Sequence, residues 1–173
     1  MDGFIVRDSR KFALWSTIAI AVLPSYTQAA VRSAGFTGVL RVAQIQFKSE
    51  QVRREYADHR VPPLLRRIVG FVAAVVPEPY DVLITDVWRS REETRRIYGR
   101  YKHSPHHHWR AVDLVLVGPD GGRAGDDVYT HVKARVGDAF SGLRPLWWPF
   151  PICIYHDVGR GKHLHLQVWR GAK

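Results

Sequence analysis

The chain has 173 residues, enough for one domain with a real hydrophobic interior. Its hydrophobic share of 46% and charged share of 24% exclude an intrinsically disordered polymer, and its single cysteine, Cys153, excludes both an intramolecular disulfide and a cysteine-rich metal site. Lys and Arg total 26 against 16 acidic residues, a formal net charge of +10 that draws the protein toward anionic polymers or lipid without choosing among them.

Residues 1–30 form a unit apart. Arg7, Arg10 and Lys11 precede an apolar stretch over 12–24, and small residues flank Gln28, the order of a secretory signal peptide. Asp2, Asp8, Ser16 and Thr17 dilute that pattern, and the apolar run is short for a bilayer span. The segment therefore reads as a signal peptide, a membrane anchor or an N-terminal helix, with a single domain over 31–173.

Within that domain, residues 39–47 read as a short strand or the lead into a helix. Residues 49–59 are charged and helix-compatible, with Ser49 as cap, and Val61-Pro62-Pro63 breaks them. A second helix is expected over 63–76. Its Leu64, Leu65, Ile68, Val69, Phe71 and Val72 form an apolar stripe, while Arg66 and Arg67 face water. Residues 81–87 are a strand, 89–101 a charged helix, 102–110 a His-rich loop and 111–117 a second strand closed by a glycine-rich turn. An amphipathic helix over 126–140 and strands over 152–155 and 163–169 complete the pattern. Cys153 falls in an apolar run, where a buried, inert thiol is expected. The expected fold is α+β: a small, mainly antiparallel sheet of about four strands with helices packed on one face.

Two segments carry chemistry. In a strand over 163–167, side chains alternate, so His163, His165 and Gln167 share one face and Leu164 and Leu166 the other. Asp113 likewise points opposite to Val112 and Leu114. Both strands thus offer an apolar face to a core and a metal-capable group on the other side. A buried carboxylate is costly alone, and a cation shared with imidazoles removes the cost. Zinc accepts such a set, three protein ligands leaving a fourth position for water. The triplet His106-His107-His108 offers further imidazoles.

These segments resemble the peptidoglycan-cleaving LAS metallopeptidases, whose fold is the hedgehog/DD-peptidase type. Their motif Ser-x-His-x-x-Gly-x-Ala-x-Asp is met by Ser104, His106, Ala111 and Asp113, with Trp109 in place of the Gly, and their His-x-His by His163-Leu164-His165. The resemblance covers roughly residues 81–169. It implies Zn2+ held by His106, Asp113 and His165, and a peptidase acting on peptidoglycan stem peptides as a carboxypeptidase, endopeptidase or L-Ala-D-Glu peptidase. Arg89, in Trp88-Arg89-Ser90, would bind substrate or stabilise charge on the attacked carbonyl. Where many members carry an acidic base, three positions before the last ligand, this chain has Lys162. The base is then His163, next Asp157, and third His156. Such a protein would work in the periplasm or cell envelope or outside the cell, or be made in the cytoplasm if endolysin-like. Membrane attachment would come through the N-terminus, and no specific nucleic-acid partner is expected. A non-catalytic zinc-containing wall-binding domain is the alternative from another class, and a metal-dependent nuclease a third.

Overall fold

The computed structural model describes residues 42–157 and 161–172. The readings made for residues 1–30 lie outside them.

Helix α1 (Glu50–Ala57) starts where Ser49 Oγ accepts the Val52 N–H at 3.2 Å, with Glu50 in its first turn. Pro63 then occupies the first turn of α2 (Pro63–Val75), where a missing N–H costs nothing. Leu64, Leu65, Ile68, Val69 and Val72 are fully buried along one stripe of α2. Helix α3 (Arg91–Tyr98) opens on a capping box between Ser90 and Glu93 and stops at Gly99, whose φ of 68° is left-handed. It is thus shorter than the expected 89–101. Helix α4 covers Asp126–Phe140.

The strands are β1 (Ile45–Phe47), β2 (Asp81–Asp86), β3 (Ala111–Val117), β4 (Cys153–His156) and β5 (His163–Gln167), in the sheet order β1-β2-β3-β5-β4. The α+β expectation holds, with two corrections. There are five strands rather than about four, and the sheet is mixed because β1 runs parallel to β2, while the other three pairings are antiparallel. Strand β1 falls within residues 39–47, where a short strand is one of two expectations, and its pairing with β2 is made over a long sequence separation.

Register decides which side chains meet. Ile84 opposes Leu114, which opposes Leu164, and Val112 opposes Leu166. All five are completely buried, on the face where α2 and α4 pack against each other and the sheet. The expectation of helices on one face therefore describes these two. Helix α3 instead meets the His-rich loop, Thr94 Oγ1 lying 2.7 Å from His107 Nε2.

The opposite face collects the polar groups. Asp113 opposes His165, and His163 opposes His156. A register shift between Ile84 and Asp86 leaves Thr85 as an extra residue, its Oγ1 donating to the Asp113 carbonyl at 3.2 Å. This bulge brings Asp86 opposite Asp113, on the face strict alternation would have denied it.

Candidate metal centre

Residues 104–109 aim the first imidazole. Ser104 caps a short 3-10 helix (Pro105–His108), its Oγ accepting the His106 N–H at 3.3 Å. The ring of His106 turns inward, where Nδ1 lies 2.8 Å from the Val87 carbonyl oxygen. A carbonyl only accepts, so Nδ1 carries the proton and Nε2 presents a lone pair. That lone pair faces Asp113 Oδ1 at 3.2 Å and His165 Nδ1 at 3.3 Å, while His165 Nδ1 is 2.7 Å from Asp113 Oδ1. All three residues are buried, and their ligand atoms lie within 4.8 Å of one another. His106, Asp113 and His165 could therefore hold a metal ion.

Electrostatics favours that use. Two lone-pair acceptors, His106 Nε2 and Asp113 Oδ1, face each other in a buried site, an arrangement that needs a proton or a cation between them. Burial raises the Asp113 pKa, yet His106 and His165 more than offset it and hold the carboxyl well below the usual carboxylate range. Burial lowers the His106 pKa, and the Asp113 charge outweighs it, leaving the imidazole raised above its ordinary value. A proton on His106 Nε2 and a metal ion would therefore compete for the same space.

Around this triangle stands a second layer. Arg89 is buried, and its Nη2 donates to Asp113 Oδ2 at 3.0 Å. Its Nε donates to Asp86 Oδ2 at 3.0 Å, and Nη2 also pairs with that oxygen. Arg89 therefore occupies one oxygen of Asp113 and leaves the other to the imidazoles. His163 Nδ1 lies 3.0 Å from the Gly161 carbonyl and so carries a proton, while Nε2 lies 3.7 Å from Asp113 Oδ1. His156 packs on His163 with ring centroids 4.8 Å apart, and on His165 at 5.7 Å. Its Nε2 is buried with no hydrogen-bond partner among the described residues, and burial, then His163 and His165, lower its pKa.

Of the other residues singled out in the sequence, Asp157 is exposed after β4, its Oδ1 accepting the Gly161 N–H at 3.1 Å. Lys162 turns to the start of α4 and pairs with Asp126. Trp109 keeps the left-handed conformation that a glycine would supply, at φ 60° and ψ 20°. Its ring stacks on Trp88, with centroids 5.8 Å apart, and the Arg60 guanidinium sits 3.9 Å over it. Asp86 was not foreseen as part of the site. Its spacing of three from Arg89 was visible, but the bulge that turns it toward Asp113 was not. A cleft of about 230 Å³ adjoins Arg89, lined also by Trp88, Arg91, Tyr101, His107 and His108.

Neither any family model nor any curated protein matches this chain. The functional reading therefore rests on the site.

Proposed function

We propose that the protein is a zinc peptidase of the LAS type that hydrolyses a peptide bond in peptidoglycan stem peptides. The observation that carries this reading is the buried convergence of His106 Nε2, Asp113 Oδ1 and His165 Nδ1, with His163 Nε2 beside it. Two imidazoles and one carboxylate are a donor set that zinc accepts, and His106, Asp113 and His165 would be the residues that hold it. When bound, zinc supplies a Lewis acid and lowers the pKa of its water to about 7.

The remaining work falls to this chain's own groups. His163 Nε2 takes the proton from the attacking water, because its Nδ1–H is already committed to Gly161 O. His156 packs against that imidazole at a tilt of 54°. Arg89 acts first on Asp113, holding Oδ2 so that Oδ1 faces the ion; with Nε and Nη2 on carboxylates, only Nη1 is left to meet substrate. Its neighbours in the cleft, Arg91 and His108, offer positive or polar groups for the carboxylates of stem peptides. The working place of such an enzyme is the cell envelope.

The test is incubation of the purified protein with peptidoglycan, with and without a chelator, followed by mass spectrometry of released fragments. Chelator-sensitive release of stem-peptide fragments is expected. His165→Ala should lose zinc, whereas His163→Ala should keep it and lose roughly 10²–10⁴-fold in turnover. Tightly bound stoichiometric zinc without cleavage would favour a wall-binding module instead, a reading supported by Lys162, which stands where a carboxylate base is expected and turns away to Asp126.

A further inference from the structure

The exposed apolar surface of the described residues gathers in one place. Between α4 and β4, Leu146 is fully exposed, Trp147 is 64% exposed, Phe150 53% and Leu143 49%. Elsewhere among the described residues only Val42 and Tyr101 are large hydrophobic side chains so exposed. Single exposed apolar residues are ordinary, but four within eight positions are a patch.

This segment is braced. Pro145, Pro149 and Pro151 restrict its backbone. The Trp148 N–H donates to the Pro145 carbonyl at 3.0 Å, and Arg144 Nη1 donates to the Phe150 carbonyl at 3.4 Å. Trp148 packs edge-on against both Trp147, at 6.2 Å, and Phe150, at 5.1 Å. The apolar side chains are thus held outward rather than left to collapse.

We propose that residues 143–150 form an interfacial docking element that inserts Leu146, Trp147 and Phe150 into the headgroup boundary of an anionic lipid bilayer. Trp, Phe and Leu presented together on a polar body are the composition of interfacial anchors. A saccharide platform would pair aromatic faces with hydrogen-bonding side chains, whereas the outermost group here is the aliphatic Leu146. Charge selects the lipid. The chain carries +10, and Lys133 and Arg144, against the single carboxylate of Asp138, line the hollow between α4 and this segment. No helix among the described residues is long and apolar enough to cross a membrane, so the element lies in the interface rather than spanning it. This inference does not depend on the peptidase reading.

The test is co-sedimentation of the full chain with vesicles of phosphatidylglycerol and phosphatidylcholine, and with vesicles of phosphatidylcholine alone. Binding to the anionic vesicles is expected, at least tenfold weaker without phosphatidylglycerol or in high salt. Substituting Leu146→Ser, Trp147→Ser and Phe150→Ser together should weaken it at least tenfold, with thermal melting and metal uptake unchanged. The single variant Trp147→Phe should lose most of the vesicle-induced blue shift in tryptophan fluorescence. Failure of the wild type to bind anionic vesicles overturns the proposal, as does a triple variant that binds as well as wild type, because attachment then comes from elsewhere in the chain. A concentration-dependent dimer that the triple variant abolishes, without vesicle binding, assigns the patch to a second copy and equally overturns it.

Discussion

Arg89 and Asp113 face each other across the bulge of β2, Nη2 donating to Oδ2 at 3.0 Å, in a site where both side chains are less than one-tenth exposed. The pairing divides the carboxylate: one oxygen is held by the guanidinium and the other meets two imidazoles. Removing one partner of such a pair leaves a buried charge uncompensated, here on Asp113 and in part on the more accessible Asp86. Arg89→Met should therefore destabilise the metal-free protein by about 3 kcal/mol. It should also weaken metal binding by roughly 10–100-fold through loss of orientation, which outweighs the gain from removing a nearby positive charge. Arg89→Lys, with a point charge in place of the fork, should recover only part of either. Chemical denaturation in chelator and competition against a chromophoric chelator measure the two effects; an unchanged metal affinity in Arg89→Met would remove Arg89 from the site's support.

Metal uptake should fall with acidification, and from a higher pH than for a free imidazole. Binding needs His106 and His165 neutral at the ligating nitrogens. Burial alone would lower the His106 pKa, but the Asp113 charge raises it above 6.5. Below that raised value the imidazole holds a proton where the cation would sit, so the apparent affinity falls as pH drops through it; above it the proton no longer competes. Equilibrium dialysis at pH 8, 7, 6 and 5, titrated with metal at each pH, should show the affinity already weakening above pH 6.5. An affinity constant down to pH 5 would contradict this account.

Cys153 should behave as a sealed thiol. Burial pushes its pKa up to about 12, the weak opposing pull of Lys133 notwithstanding. At pH 8 its reaction with an aromatic disulfide reagent should be at least about 10³-fold slower than in the unfolded chain, since the thiolate is the reactive form. The same shift has a stability consequence. Below pH 9 the thiol is protonated in both states and contributes nothing to the pH dependence. Between pH 9 and 12 only the unfolded chain ionises, so stability is lost at up to about 1.4 kcal/mol per pH unit. Tyr56, also raised by burial to about 12, adds a similar loss from pH 10. Denaturation of wild type and Cys153→Ala at pH 8 and pH 10 should show the wild type losing about 1 kcal/mol more, whatever packing the substitution costs at both.

The parts of the site that follow strand periodicity were legible in advance. Alternation alone put Asp113 and His165 opposite the apolar faces of β3 and β5, and the register pairs them directly. The choice of His106 over His107 and His108 came only from motif spacing, and its physical reason is the Ser104 cap and the Val87 carbonyl. Asp86 escaped because a bulge breaks the period by which faces are read. Strand β1 lies within residues 39–47, legible as a short strand or a helix lead-in, but its parallel pairing with β2 left no local signal. The early end of α3 was written in Gly99, whose left-handed cap a continuous charged pattern concealed.

Trp109 shows how one position can satisfy two conflicting demands. Its φ of 60° is the only positive value at a non-glycine residue among the described residues, and that conformation costs an L-residue roughly 1–2 kcal/mol. The ring recovers it: stacking on Trp88 is worth about 0.5–1.5 kcal/mol and the Arg60 cation about 0.5–1 kcal/mol more. Arg60 is itself fixed over the ring by Asp58, whose Oδ1 and Oδ2 accept from Nε and Nη2 at 2.9 and 2.8 Å. Trp109→Gly removes the strain and the stack together, whereas Trp109→Ala keeps the strain and loses the stack. The order of stability should be wild type, then Gly, then Ala, with about 1 kcal/mol between the two variants. Because the 3-10 turn that ends at Trp109 carries His106, the Ala variant should also bind metal more weakly than the Gly variant. Thermal melting in chelator and metal titration test both orders, and an Ala variant as stable as the Gly variant would mean the left-handed turn imposes no cost.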